Sequence, residues 1–249
     1  MGERMLRPVL EVSVAGSVPE ARPSVFRLVT DREYRTAVAS LEFPRDAEVG
    51  GKGDPVTVHL SGENGRSLLF TGEVLSAAVT GGLRFLRLAD GHAKLCRTAV
   101  TAAYRKETAE AILGDALDAA GIGARAITCP AVEVARFSTG TVPADRLIEL
   151  LVKTLEEHGH RGLRFFFDEA DTFRFGTCGD TGRHEGGTYE FRTRRDIVAR
   201  GEDRIEVLPL PIRHSMPVTV DGTGFWVRRT ELRLSGSRSG LRLWLSEEG

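Results

Sequence analysis

Residues 53–74 read GDPVTVHLSGENGRSLLFTGEV, and residues 216–245 read MPVTVDGTGFWVRRTELRLSGSRSGLRLWL. Both contain Pro-Val-Thr-Val, starting at Pro55 and at Pro217, and both lead to a Gly-Leu-Arg, starting at Gly82 and at Gly240. Val56, Val58 and Leu60 alternate with Thr57 and His59, and Val218 and Val220 flank Thr219, which is the two-residue period of a half-buried strand. Each stretch then runs through a glycine turn, a longer strand, a second turn with glycine and a final apolar strand. The second interval is slightly shorter, a difference that a hairpin loop absorbs at little cost. The matched order predicts that the chain contains the same small β unit twice.

The rest of the first hundred residues has the same texture. Leu10, Val12 and Val14 alternate with polar neighbours, Val25 to Thr30 is a short apolar run, and Ala37 to Phe43 is another. Gly62-Glu63-Asn64-Gly65 and Gly81-Gly82 supply residues that accept the positive φ of tight hairpins. Short strands at this spacing predict a small barrel or sandwich. From residue 189 onward the period is strand-like again, over Tyr189–Arg192, Arg204–Leu208, Met216–Val220, Phe225–Leu234 and Leu241–Leu245.

Between these regions the period changes. Ala109, Ile112, Leu113, Ala116, Leu117 and Ala120 fall on one face of a helix over 107–120, with Glu107 and Glu110 in the first turn and Gly121 as the stop. Ala144, Leu147, Ile148, Leu151, Val152 and Leu155 repeat that template over 143–158, with Pro143 suited to the first helical position. LRFFFDEADTFRFG, residues 163–176, reads as a hairpin turning at Asp168–Thr172. The expected fold class is therefore α+β, mostly β: two small tube-like β-barrels separated by an α/β unit. Residues 1–100 form the first barrel, 101–180 the unit with two helices and a hairpin, and 181–249 the second barrel.

Bulk composition narrows the function. The 249 residues carry 34 basic and 35 acidic side chains, a net charge of −1, so no global positive field exists to hold nucleic acid. Cys96, Cys129 and Cys178 are too few and too scattered for a disulfide framework. No apolar signal core opens the chain, and no run approaches membrane-spanning length, so no membrane anchor is expected.

Candidate chemistry is sparse. His92 and Cys96, four apart, are the pairing a Cys/His hydrolase would use, but no third partner can be named beside them. His158 and His160 flank a helix end, and Cys178 precedes His184 in a loop; neither pair has metal-site spacing. Asp168, Glu169 and Asp171 read as turn residues. Arg192, Arg194 and Arg195, with Arg228 and Arg229, lie near Tyr189, Phe191, Phe225 and Trp226, a combination that an oligonucleotide- or saccharide-binding barrel would use. Acidic residues interleave with them. No catalytic, cofactor-binding or metal residues are assigned, and no cofactor is expected.

Gly53-Asp54-Pro55-Val56-Thr57-Val58 followed by Leu69-Phe70-Thr71-Gly72-Glu73-Val74 resembles the first-barrel signature of contractile-tail baseplate hub proteins, the phage late-control protein D family, which is similar to the N-terminal half of type VI secretion spike proteins. Lys106-Glu107-Thr108 with its helix, Thr141-Val142-Pro143-Ala144 with its helix, the Phe-rich hairpin and the segment from Pro217 to Leu245 come in the family's order. The resemblance implies a non-enzymatic structural hub, a homotrimer whose six barrels adapt a six-fold tail tube to a three-fold spike. It implies tail tube protein, spike protein and other baseplate proteins as partners. It also implies manufacture in the bacterial cytoplasm, assembly in a virion baseplate or injection particle, and nucleic acid only as cargo in the lumen. Since the sequence stops soon after the second barrel, the spike is expected to be a separate polypeptide. Strands 54–60, 67–75, 216–221 and 225–234 are the expected ring-forming elements, with helices 107–120 and 143–158 on the outside.

Overall fold

The computed structural model describes residues 9–62, 65–177, 179–181, 188–236 and 238–247. The chain is mostly β. In order, its elements are β1 (Val9–Val14), β2 (Val25–Asp31), β3 (Val38–Pro44), β4 (Pro55–Gly62), β5 (Gly65–Thr80), β6 (Leu83–Ala89), α1 (His92–Arg97), β7 (Ala99–Thr108), α2 (Ala109–Ala119), β8 (Arg125–Ile127), β9 (Glu133–Pro143), α3 (Ala144–Glu157), β10 (Arg164–Phe167), β11 (Phe173–Gly176), β12 (Tyr189–Phe191), β13 (Ile197–Arg200), β14 (Arg204–Val207), β15 (Pro217–Val220), β16 (Thr223–Ser235) and β17 (Gly240–Ser246). They pack as two compact units: Met1–Asp90 with Gly187–Gly249, and Gly91–Gly186. The first and last thirds of the chain, expected as consecutive blocks bounded at 100 and 181, thus share one unit. The physical reason is the pairing of β2 with β16, which zips the two blocks together.

The first unit is one curled, twelve-stranded sheet with the path β1-β4-β5-β6-β3-β2-β16-β17-β14-β13, and with β12 joined to β15 and β15 to β16. Its first half runs β1-β4-β5-β6-β3-β2. Its second runs β12-β15-β16-β17-β14-β13. Strand for strand in chain order, these are the same arrangement. The duplication suggested by two short motifs is therefore a duplication of sheet topology. One pairing departs from it: β1 lies antiparallel to β4, whereas β12 lies parallel to β15.

The copies share a corner. Val74 N–H donates to Asp54 O at 2.9 Å and Gly53 N–H to Val74 O at 2.8 Å; in the second copy Val227 N–H donates to Met216 O at 3.0 Å and Ser215 N–H to Val227 O at 2.6 Å. Each bracket holds the residue before the Pro-Val-Thr-Val strand against the long strand. The residue two before the proline is left-handed in both, Gly53 at φ 92° and Ser215 at φ 62°. The register then slips, between Val74 and Ser76 and between Val227 and Arg229. A bulge of this kind bends the long strand and raises its twist, so that β5 pairs with β4 on one side over its first half and with β6 on the other side over its second.

Counted from these corners, the Pro-Val-Thr-Val segments coincide: Pro55 pairs with Glu73 one residue before Val74, and Pro217 with Trp226 one residue before Val227. The Gly-Leu-Arg triplets do not. Val74 pairs with Leu88 and Val227 with Leu245, which sets Leu241 level with Arg84 rather than Leu83. A one-residue slip reverses the face of every side chain, so the triplet match is incidental.

The copies join through β2 and β16, antiparallel from Arg229↔Asp31 to Ser235↔Val25. Phe26, Leu28 and Leu232 are at most 1% exposed across this seam. Thr30 Oγ1 and Thr230 Oγ1 hydrogen-bond at 2.7 Å, and Arg27 bonds Glu231 at 2.7 Å. The loop before β15 reinforces the seam: buried Arg213 donates from Nη2 to Leu69 O, and His214 N–H donates to Thr30 Oγ1 at 3.4 Å. One core cluster, from Val12 to Leu243, draws on both copies.

In the second unit α2 begins one residue after Thr108, whose Oγ1 accepts from Ala111 N–H at 3.2 Å as an N-cap. α3 begins at Ala144, so Pro143, expected as the first helical residue, is the cap instead, held extended at ψ 147° by its place at the end of β9. Both helices bury the predicted faces. The Phe-rich hairpin forms as β10 and β11, and β8 adds to it in parallel. The ribbon β7–β9 was not anticipated; it has an irregular alternation because much of it is exposed.

Gly72 sits where a side chain cannot. A Cβ there would collide with the carbonyl oxygen of Ala89 and the ring of Phe70. Replacing Gly72 with alanine should therefore lower stability by about 1–3 kcal/mol through overpacking, measured as a lower urea midpoint at unchanged slope. The same change at Gly51, where nothing lies within 4 Å, should leave the midpoint in place.

Candidate functional site

Two features of the fold are candidates for function. One is a set of strand edges. β13 ends the sheet path, and β5 over Ser76–Thr80 pairs only with β6, with no strand on its other side among the described residues. Both edges are exposed: Val79 is 49% and Val198 67% accessible. The edge of β5 reads SAAVT, without the lysine, proline or inward-facing charge that natural proteins use to blunt an edge. Of the strands expected to form a ring, 67–75 is the inner part of β5 itself, and the others lie inside the sheet. β4 is flanked by β1 and β5, β15 by β12 and β16, and β16 over 229–235 by β17 and β2. Alternation in sequence reveals a strand but not its position in the sheet.

The other is a side-chain cluster within the second unit. His92 and Cys96 lie on α1, where an i, i+4 spacing puts them on one face. Asp145, second residue of α3, completes the group. Cys96 Sγ is 3.8 Å from His92 Nδ1 and 3.4 Å from Asp145 Oδ2, and His92 Nε2 is 4.0 Å from Asp145 Oδ2. A backbone bond from Ala144 N–H to Thr98 O, 2.8 Å, fixes the start of α3 against the end of α1. Gly91 makes the turn into α1 possible: a Cβ would strike the ring of Phe167, and its N–H donates to Asp171 Oδ1 at 2.6 Å. Asp145 was missed in the sequence because nothing local marks it; an acidic residue in the first turn of a helix is ordinary dipole complementation.

The remaining candidates have structural partners. Asp168 accepts from the Ala170 and Thr172 N–H groups at 3.0 and 2.9 Å and from Arg174 Nε at 2.8 Å, which makes it the organiser of the hairpin turn. His158 Nδ1 lies 2.7 Å from Thr154 O at the end of α3. Cys178 and His184 lie outside the described residues. Four of the five clustered arginines are paired or stacked: Arg192 with Glu190, Arg195 with Asp196, Arg228 with Asp203, and Arg229 with its guanidinium carbon 5.1 Å from the Trp244 ring centre. Phe191 is buried and Tyr189 and Phe225 pack on the core, so they are not a base-stacking platform.

No protein-family model matches the chain, and no curated protein matches it. Solved structures do. The 43 kDa tail protein of prophage MuSo2 from Shewanella oneidensis is 11% identical and superposes with a TM-score of 0.75, over 95% of this chain and 96% of that one. The chain has the fold of a phage tail protein. The tail protein from Neisseria meningitidis MC58 agrees at 12% identity and a TM-score of 0.72, over 98% of both chains. The E. coli c3393 protein, a component of the type VI secretion system described as structurally similar to the T4 bacteriophage tail proteins gp27 and gp5, agrees at 12% identity and 0.69, over 94% of this chain and 76% of that one. Among the described residues, no helix is long and apolar enough to cross a membrane.

The two described cysteines differ in accessibility. Cys129 is half-buried, and burial, with Glu110 nearby, pushes its thiol up to about 11. Cys96 is exposed. Brief alkylation of the native protein at pH 8 should label Cys96 while sparing Cys129, because only the thiolate reacts and Cys129 stays protonated until far higher pH. Peptide mapping by mass spectrometry reads the order; equal labelling of both would contradict this account.

Proposed function

We propose that the chain is the structural, non-enzymatic hub of a contractile tail or related injection particle, a ring subunit between a six-fold tail tube and a three-fold spike. One observation carries this reading. Two copies of a single strand order are joined edge to edge within the chain, and among the described residues the edges equivalent to that join are left open. β2 of the first copy pairs with the outer half of β16 in the second. By the repeated order, β13 corresponds to β2, and the outer half of β5 to that of β16. Pairing β13 with the Ser76–Thr80 edge of the next chain repeats the internal seam between subunits. A head-to-tail contact of this type closes into a ring when its rotation permits. Three chains then supply six equivalent units to the tube and three identical faces to the spike, with a lumen for cargo. The shared fold with phage tail proteins supports this reading, with tail tube, a separate spike polypeptide and other baseplate proteins as partners. The chain would be made in the bacterial cytoplasm and would act within the assembled particle.

Light scattering should give three times 27.2 kDa for the purified chain. Val79→Lys and Val198→Lys, one on each open edge, should each move the mass toward that of one chain without altering the circular dichroism. A chain that stays single at high concentration, or a trimer that both substitutions leave intact, would overturn the edge-pairing ring.

A further inference from the structure

His92, Cys96 and Asp145 have no part in the assembly reading, yet they form an unusual group. Among the described residues they are the set of three potential metal ligands whose atoms all lie within 4.8 Å of one another. His92 is 7% exposed, Asp145 is partly buried, and Cys96 faces solvent. Asp145 Oδ1 is buried with no hydrogen-bond partner among the described residues, although a buried carboxylate oxygen normally has one.

Two chemistries use a cysteine, a histidine and an acid. In a nucleophilic triad the acid holds the far nitrogen of the imidazole and stays away from the nucleophile. Here Asp145 Oδ2 lies against the sulfur at 3.4 Å and only 4.0 Å from His92 Nε2, beyond hydrogen-bond reach. The acid is thus turned to the sulfur and not to the imidazole that it would have to orient. A metal ion suits the arrangement, since one dication neutralises thiolate and carboxylate together. The spacing also suits a metal. Bonds of about 2.0 Å to nitrogen and oxygen and about 2.3 Å to sulfur place these tetrahedral ligand atoms roughly 3.3–3.6 Å apart; Cys96 Sγ is already 3.4 Å from Asp145 Oδ2, and a shift of a few tenths of an ångström brings in His92, whose Nδ1 is 3.8 Å from the sulfur.

We infer that His92, Cys96 and Asp145 form a binding site for a borderline-soft divalent ion of the zinc type. Thiolate and imidazole select zinc over magnesium or calcium, which prefer oxygen. Three protein ligands leave the fourth position to water on the exposed side. The ion acts as a clip, closing the long segment between α1 and the start of α3 and giving the Asp145 carboxylate a counter-charge. Binding displaces the Cys96 thiol proton to solvent, so affinity falls as pH is lowered.

The test uses the whole chain in whatever oligomeric state it adopts, so it stands apart from the fate of the ring. Cobalt(II) added to metal-free protein should produce an intense thiolate-to-cobalt absorption, saturating at one ion per chain and abolished by competing zinc. Cys96→Ser should remove that band, and Asp145→Asn should weaken affinity tenfold or more, while Cys129→Ser changes neither. No thiolate band in the unsubstituted protein, or a band that survives Cys96→Ser, overturns the site. The unsubstituted protein alone is decisive should a variant fail to fold.

Discussion

The seam between β2 and β16 is the pairing on which the rest of the first unit depends. Neither half of the chain closes its own sheet. Each presents an outer strand whose N–H and C=O groups need partners, and an unpaired buried backbone group costs as much as a lost hydrogen bond. By meeting at β2 and β16 the halves satisfy one pair of such edges and bury Phe26, Leu28 and Leu232 across them. Burying side chains of this size contributes about 1.5–3 kcal/mol each. This is why residues 1–90 and 187–249 pack as one body despite the 96-residue insertion between them.

Duplication explains how such a seam arises, and it constrains how many edges stay open. A unit that pairs edge to edge with its copy has one donor edge and one acceptor edge. Two units in a chain use one of each and leave one of each, in addition to β1 and β12, which have a strand on one side only among the described residues. The corner at Val74 and Val227 makes this geometry possible. By bending the long strand there, the bulge frees its outer half to take a different neighbour from its inner half. The left-handed residue two before each proline belongs to the same device. Glycine adopts it freely at position 53, whereas Ser215 is held there by burial and by the bond from its N–H to Val227 O.

The second unit obeys other rules. Its helices were legible because each repeats an apolar spacing over three turns, and their buried faces are the predicted ones. The ribbon β7–β9 was not legible, since strands with little burial carry little alternation. α1 escaped notice because a helix of six residues is too short to show a period. The cluster around Cys96 depends on both omissions: α1 aligns His92 with Cys96, and the packing of α3 brings in Asp145 from far along the chain.

By itself, the sequence determined the mostly β character, most strands but not β7, β9 or β13, both long helices, the Phe-rich hairpin and the presence of a repeat. All of these come from local periodicity and turn chemistry, which a chain carries whatever its partners. Tertiary structure alone decided which strands are neighbours, which edges stay open, that the two β regions form one sheet, and that Asp145 meets His92 and Cys96. It also separated the true half of the repeat from the false one. Pro-Val-Thr-Val holds its register against the corner, and Gly-Leu-Arg misses by one residue. Letters can match at any offset, but a pleated strand distinguishes odd from even, and only the hydrogen-bond ladder sets the count.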